Sequence, residues 1–252
     1  MEKKQYHIAC GKSQVGRYAI MPGDPERCEK IARYLENPLK IAQNREFTTW
    51  VGTLDGELIA VTSSGIGGPS AAIAIEELHA IGVDTIIRVG TSGGMSKNVH
   101  VGDVVIAQSA IRMEGTTKEY MPIEFPATAS FQVTSALAHA AEESGIPYHV
   151  GVVECKDSFY GQHAPKRMPV SYELCNKWNA WLIGGTLTSE MESAALFIVS
   201  AVLGIRAGAI LLVGVNPELK KAGIDEGHCN DTDRAIRIAI EALRKIIRDD
   251  KK

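Results

Sequence analysis

Long apolar runs, an excess of charge of either sign and regularly spaced cysteines are all missing from this chain of 252 residues. A membrane-spanning helix needs roughly 20 consecutive, mostly apolar residues, and no window approaches that length, so we expect no membrane contact. The net formal charge of −3 gives no general attraction for nucleic acid. The first residues lack the apolar core of a signal peptide, so we expect a cytoplasmic protein.

The cysteines and histidines form no recognisable binding pattern. The five cysteines are scattered and include no C-x-x-C pair, which favours free thiols in a reducing compartment. The seven histidines show no metal-ligand spacing and no H-E-x-x-H motif, so we predict no catalytic transition metal. The glycine-rich stretches 65–70 and 90–94 do not match the dinucleotide-binding fingerprint, and we expect no organic cofactor.

The pattern that is present is an alternation of strand-like apolar runs with helical periodicity. It predicts strands over 17–21, 58–63, 85–89, 104–107, 149–153 and 207–213. It predicts helices over 25–35, 70–80, 135–143, 172–183, 191–203 and 231–248. Alternating strands and helices joined by short glycine-rich turns indicate a three-layer αβα sandwich around one central β-sheet, in a single domain spanning residues 1–252.

Two glutamates precede a long apolar helix in the stretch 188–199, TSEMESAALFIV. Ser189 and Glu192 fit the S-x-x-E capping box, in which both side chains satisfy amides at a helix N-terminus. The capping box leaves Glu190 unexplained. Residues two apart on a helix do not share a face, so we expect the two glutamates to lie where a loop meets the helix.

Two arginines are candidates for binding an anion. Arg27 falls in the first turn of a helix after a Gly-Asp-Pro turn, a common arrangement for phosphate, although pairing with Glu26 or Glu29 is the simpler alternative. Arg88 lies within an apolar strand, three residues before the hydroxyl of Thr91 in a glycine-rich loop. We favour an anion at Arg88, and neutralisation by a buried carboxylate is the alternative.

Two other segments suggest different chemistry. Gly90 to Gly94 matches the G-x-S-x-G elbow of hydrolases with Ser92 as nucleophile, but the residues that follow predict a strand, whereas the elbow requires a helix. In KDSFYGQH, Phe159 and Gln162 combine an aromatic ring with a side-chain amide, as planar heterocycles require. An ordinary loop with one aromatic anchor is the alternative for this stretch.

Six segments together resemble the nucleoside phosphorylase family of the trimeric and hexameric type, and its uridine-cleaving members match best. In order they are PGDPER, REFTTW, GIGGPS, RVGTSG, SFYGQ and EMESAALF, and they extend over almost the whole chain. The resemblance implies a mixed, partly barrel-like central sheet. It also implies phosphorolysis of a pyrimidine nucleoside, in which phosphate replaces the base to give ribose 1-phosphate.

The resemblance also implies a role for each matching residue. Phosphate would be held by Gly23, Arg27, Arg88 and Thr91, and by Arg45 from a neighbouring subunit. The ribose would contact Glu190, Met191 and Glu192, and His7 from the neighbour, while Phe159 and Gln162 would bind the base. Arg88, Gln162 and Glu192 would be the catalytic residues. A monovalent cation such as K⁺ would lie between subunits at Glu46, Ile66 and Ser70, and the assembly would be a hexamer made of three dimers.

Two departures from the uridine-cleaving pattern concern the base. An arginine expected two residues after Gln162 is replaced by Ala164, and Lys166 or Arg167 are the candidates to substitute for it. A second expected arginine is replaced by Pro217. Purine-cleaving relatives place Ser-Asp near the end of the strand at 207–213, and AILLVGVNPEL has no Asp there. The alternatives are therefore a purine nucleoside phosphorylase of the same fold, a Ser92 hydrolase and a non-catalytic nucleoside-binding protein.

Overall fold

The computed structural model describes residues 2–252. Within them the strands are β1 (Tyr18–Pro22), β2 (Glu36–Asn44), β3 (Phe47–Leu54), β4 (Glu57–Thr62), β5 (Thr85–Gly94), β6 (Val104–Met113), β7 (Ala127–Thr128), β8 (Tyr148–Lys156), β9 (Thr188–Glu190) and β10 (Arg206–Val215). The α-helices are α1 (Pro25–Ala32), α2 (Gly68–Ala80), α3 (Phe131–Ser144), α4 (Phe159–His163), α5 (Ser171–Ile183), α6 (Ser193–Leu203), α7 (Pro217–Lys221) and α8 (Asp233–Asp250). Short 3₁₀ turns cover Lys12–Gln14, Thr116–Glu119 and Pro165–Arg167.

The sheet contains a closed ring of strands. β5 pairs with β10, which continues through β6, β8 and β9 back to β5. β1 pairs in parallel with β5 and with β4, and the hairpin of β2 and β3 extends the sheet beyond β4. Parallel and antiparallel pairs therefore coexist, and the expected mixed, partly barrel-like sheet is confirmed.

Helices cover both faces of the sheet and give the three layers. One apolar core packs α1, α3 and α8 against the sheet through side chains such as Ile31, Leu137 and Ile240. The other core packs α2 and α6 on the opposite face through Ile75, Leu78 and Phe197, among others. Burying both faces removes most of the apolar surface from water, which is the main driving force for this arrangement. The predicted αβα sandwich is confirmed.

Most predicted elements are present, and the exceptions concern the site. β5 continues to Gly94, so Thr91 and Ser92 lie in a strand and the prediction of a loop there is wrong. The hairpin of β2 and β3 was missing from the prediction because β2 has no buried residue and contains a proline, so it shows no apolar alternation. In residues 2–252 no helix is long and apolar enough to cross a membrane.

Candidate active site

A cavity of about 950 Å³ opens at the ends of several strands, and we call it the main cavity. Gly23 follows β1, Gly65 follows β4, and Thr91 and Val215 lie at the ends of β5 and β10. In open parallel sheets, ligands bind at the carboxyl ends of the strands, and β1, β4, β5 and β10 run in parallel here. The position and size of the cavity are therefore those of a small-molecule site.

Arg88 forms a buried ionic cluster with both glutamates. Its Nε donates to Glu190 Oε2 at 3.2 Å, and its Nη2 donates to Glu192 Oε2. The three side chains are almost inaccessible to solvent, with relative exposures of 3% for Arg88, 4% for Glu190 and 5% for Glu192. The neutralisation of Arg88 by carboxylates, which was the alternative to an anion, is therefore present. Its Nη1 still has no hydrogen-bond partner within residues 2–252, and it lies near Gly23 beside the main cavity.

The helix cap is formed by a different residue from the predicted one. Glu190 Oε1 accepts from the Ser193 amide at 2.8 Å, and its Oε2 accepts from the Glu192 amide at 3.0 Å. Glu192 is the N-cap residue of α6 by position, but its side chain makes no capping bond. The predicted capping box of Ser189 and Glu192 is therefore wrong. Glu190 instead accepts from the otherwise unpaired amides at the start of α6, because it ends β9 just before the helix. The expected position of both glutamates, where the chain enters the helix, is confirmed.

Glu192 is held from two sides. Its Oε1 accepts from the amide of Gly67 at 2.6 Å, and its Oε2 accepts from Arg88. Gly67 has a φ of 90°, a backbone conformation that residues with a side chain rarely adopt. From its position at the start of α2, this conformation aims the Gly67 amide at the carboxylate of Glu192. Burial raises the pKa of Glu192, Arg88 lowers it, and Glu190 raises it further, so the net shift is upward. The protein thus keeps a buried carboxylate facing the main cavity.

Arg27 has the surroundings of an anion-binding group. Its guanidinium donates to the carbonyl oxygen of Val89 at 3.3 Å, and within residues 2–252 it pairs with no carboxylate. Glu29 pairs with Arg33 instead, so the predicted surface alternative for Arg27 is wrong. Burial lowers the pKa of Arg27, because water no longer solvates the charge fully. Gly23, Arg27, Arg88 and Thr91 all line the main cavity.

The predicted base-binding pair lies in α4, on the far side of the same cavity. Phe159 is half exposed and packs against His163 with ring centroids 4.2 Å apart. Gln162 is partly buried, and its Oε1 accepts from the hydroxyl of Ser189 at 2.6 Å. The stretch is a short helix capped by Ser158, so the alternative of an ordinary loop is wrong. Met191 also lines the main cavity.

A second cavity of about 760 Å³, which we call the side cavity, adjoins the main one at Lys156, Gln162 and His163. Lys166 and Arg167 line the side cavity and not the main one, and Arg167 stacks on the ring of Tyr160. Ala164 and Pro217, the two departures from the uridine-cleaving pattern, line the same space. The absence of arginine at these two positions therefore leaves room beside Gln162 and His163.

His7 and Arg45 lie outside both cavities. His7 Nδ1 pairs with Glu77 Oε1 at 2.7 Å, and its carbonyl accepts from the side chain of Asn44. Arg45 is exposed in the turn between β2 and β3, one residue after Asn44. Asn44 thus links the two residues, and neither lines the chain's own main cavity, although Glu46, next to Arg45, does.

The predicted cation ligands are only partly together. Ser70 Oγ donates to Glu46 Oε1 at 2.9 Å and to the carbonyl oxygen of Ser64 at 2.6 Å. The Ile66 side chain is 78% exposed and points to solvent beside them. A hydrogen bond from its own amide lowers the pKa of Glu46, so the carboxylate is anionic at neutral pH. A carboxylate and nearby oxygens suit a monovalent cation, but this chain brings together only part of such a ligand set.

Sequence reasoning missed a buried network that contacts Gln162 through Ser189. Lys156 Nζ donates to Ser189 Oγ at 2.5 Å and to the carbonyl of Glu190 at 3.3 Å. The hydroxyl of Ser189 also contacts Glu154 Oε2. Lys156 ends β8 and directly precedes DSFYGQH, so a lysine at the end of an apolar strand was the available signal.

Ser92 has no machinery for nucleophilic catalysis. Its hydroxyl donates to the carbonyl oxygen of Leu212 at 3.3 Å, and no histidine among the described residues hydrogen-bonds to it. β5 also leads into another strand, β6, without an intervening helix. A nucleophilic serine needs an adjacent general base, so this geometry argues against a hydrolase.

Comparison with known proteins gives consistent matches over nearly the whole chain. The family model described as the phosphorylase superfamily matches residues 17–249. The chain is 52% identical to a uridine phosphorylase of Treponema pallidum, over 98% of this chain and 95% of that protein. It is 39% identical to a uridine phosphorylase of Escherichia coli, over 96% and 98% respectively. A guanosine phosphorylase of Halorubrum lacusprofundi is 37% identical, over 95% and 98%.

Proposed function

The chain belongs to the phosphorylase superfamily, and from that membership we propose that it converts uridine and phosphate into uracil and ribose 1-phosphate. The observation that carries the proposal is the main cavity itself, which joins two arginines, a buried glutamate and an aromatic-amide pair. The uridine phosphorylases among its relatives support the choice of substrate. The activity is that of a pentosyltransferase in nucleoside breakdown and salvage.

Phosphate would bind at the arginine end of the main cavity. Arg27 has no carboxylate partner within residues 2–252, and Nη1 of Arg88 is likewise without one, so both can donate to phosphate oxygens. The amide of Gly23 and the hydroxyl of Thr91 complete the group. Holding the nucleophile beneath the sugar converts a bimolecular reaction into an oriented one, which accounts for much of the rate gain.

The ribose would lie between phosphate and base, against Met191 and the two glutamates. Glu192 would accept hydrogen bonds from the ribose hydroxyls, and its negative charge favours the oxocarbenium character that develops at the anomeric carbon. Glu190 holds Arg88 and the start of α6 in place. The base leaves as Gln162 stabilises the negative charge on the ring, with Phe159 against its face. No covalent enzyme intermediate is needed.

A purine nucleoside is the second candidate, because a guanosine phosphorylase is among the relatives. Asn216 at the end of β10 argues against it. Its side chain accepts from the amides of Glu218 and Leu219 and donates to the carbonyls of Ser96 and Val99. An asparagine engaged on both ends has no proton to give to a purine, so we rank uridine first.

We also propose that the functional unit is a hexamer of three dimers in the cytoplasm, with sites shared between subunits. Asn44 joins His7 to the turn that carries Arg45, and neither residue lines the chain's own main cavity, as expected of residues offered to a neighbour. A monovalent cation such as K⁺ would be held by Glu46, Ser70 and the backbone at Ile66, with further oxygens from the second subunit. Size-exclusion chromatography with light scattering tests this, and a monomer at micromolar concentration would contradict it.

The activity is tested by following base release from uridine, thymidine, inosine and adenosine, each with and without phosphate. We expect uridine turnover that depends on phosphate and yields ribose 1-phosphate. Turnover that persists unchanged without phosphate would exclude phosphorolysis, and faster turnover of inosine than of uridine would make the purine alternative correct. Absence of any uracil release at catalytic enzyme concentrations would indicate a binding protein.

A further inference from the structure

The amide of Gln162 is fixed by the hydroxyl of Ser189. Ser189 lies in β9, and its Oγ is 2.6 Å from Gln162 Oε1. A hydroxyl can donate to an amide oxygen or accept from an amide nitrogen, so the end that it holds depends on where its single proton goes. In this structure the amide oxygen is the end that faces Ser189.

The protons around Ser189 can be counted. Lys156 donates to its Oγ, while Glu154 Oε2 and Gln162 Oε1 are both within hydrogen-bond reach. Ser189 has one proton, so it can serve both oxygens only if Glu154 carries a proton of its own. Burial raises the pKa of Glu154, and Lys156 Nζ, which lies 3.7 Å from Glu154 Oε2, opposes this. With the amide oxygen in contact, the serine proton goes to Gln162 Oε1, while Lys156 Nζ donates to the same Oγ.

The orientation of this amide matters because uracil and cytosine differ in their hydrogen-bonding edges. Uracil presents an N3–H donor beside carbonyl acceptors, and cytosine presents an N3 acceptor beside an amino donor. An amide that faces the uracil edge correctly must flip by 180° to face the cytosine edge. A site with fixed polar groups rejects the mismatched base strongly, because buried donors or acceptors would remain unpaired.

We propose that Ser189 is a positioning residue that prevents Gln162 from flipping and so makes the site select uridine over cytidine. Lys156 and Glu154 both contact the Ser189 hydroxyl and hold it in the orientation in which it donates to Gln162. This inference rests on the proposed function, because it requires that Gln162 contacts the base. It adds a buried group on β9, beside the ribose-binding glutamates, to the determinants of base choice.

The test measures kcat/KM for uridine and cytidine with phosphate present, in the wild type and in Ser189→Ala. Without the hydroxyl the amide can adopt both orientations, so we expect the uridine-to-cytidine ratio to fall by about tenfold, the effect of one hydrogen bond. Ser200→Ala is the matched control. Ser200 is a buried serine in α6 without a hydrogen-bond partner among residues 2–252, and its loss should leave the ratio unchanged.

Two further variants separate positioning from packing. Glu154→Gln keeps a donor toward Ser189 and should keep the ratio within about threefold. If Ser189→Ala does not fold, Ser189→Cys keeps the volume with a weaker donor and should lower the ratio. An unchanged ratio in a folded Ser189 variant, or an equal fall in Ser200→Ala, would overturn the inference. A wild type that does not cleave uridine would instead contradict the proposed function.

Discussion

The two ends of the main cavity are built in different ways. At the end proposed for sugar and phosphate, Arg88 and both glutamates are at most 5% exposed and stand on β5, β9 and the start of α6. At the base end, Phe159 is 50% exposed and lies in a helix of five residues. The buried end has preformed hydrogen bonds, as electrostatic catalysis requires. The exposed end can change with little effect on the fold, so it is where substrate preference can vary.

The largest effect is expected for Arg88→Ala. It leaves two buried carboxylates without their cation, which costs about 3–5 kcal/mol of unfolding free energy. Activity should fall by about 10³-fold, because the proposed donor to phosphate is also lost. Chemical denaturation and kcat/KM measure the two effects. The matched control is Arg27→Ala, which removes no carboxylate partner and should raise the KM for phosphate while changing stability by only about 0.5 kcal/mol.

The next effect is expected for Glu192→Gln. Glutamine can still accept from the Gly67 amide, so the protein should fold with a nearly unchanged melting temperature. The lost negative charge should lower kcat by about 10²-fold, because it no longer favours positive charge at the sugar. A variant with full activity would show that Glu192 only holds Gly67 and Arg88 in place, and the ribose would then need another partner.

A smaller effect is expected at the exposed end, for Phe159→Ala. Stacking of a base on an aromatic side chain is worth about 1–3 kcal/mol, so the KM for uridine should rise by about tenfold or more. The melting temperature should stay the same, since the ring is half exposed. Thermal unfolding and steady-state kinetics on one preparation provide the comparison. A large loss of stability would contradict the contrast between the two ends.

The smallest effect is expected for Ser92→Ala. The hydroxyl makes one long hydrogen bond to the carbonyl of Leu212, so we expect less than a threefold change in kcat/KM. The same measurement decides against the hydrolase alternative, in which this substitution would abolish activity. Loss of all uridine cleavage in a folded variant would require a new assignment for the end of β5.

Much of the architecture follows from periodicity, because the strands and helices that build the two cores have continuous apolar faces. β1, β4, α8 and the short turn before α1 were predictable on that basis. The hairpin of β2 and β3 was not, because an edge strand with no buried residue carries no apolar alternation. The extent of β5 was also missed, since glycine, threonine and serine predict a loop unless the neighbouring strands are known.

The candidate site was predictable to the extent that single residues violate local expectations. Arg88 in an apolar strand and Glu190 before an apolar helix each signalled a partner, and each is the other's partner. The cap of α6 was predicted to be formed by Ser189 and Glu192 instead of Glu190, because sequence spacing cannot show that a strand ends at Glu190. The network of Lys156 and Ser189 required β8 and β9 to be neighbours, which no local pattern reveals.

Arg88 would couple the binding of phosphate to the binding of the nucleoside. Two of its nitrogens hold the glutamates that would grip the sugar, and the third, without a partner in residues 2–252, would meet phosphate. A shift of this guanidinium toward phosphate would weaken its hydrogen bonds to both carboxylates. The two substrates should therefore be thermodynamically linked: phosphate changes the Kd for uridine by the same factor by which uridine changes the Kd for phosphate.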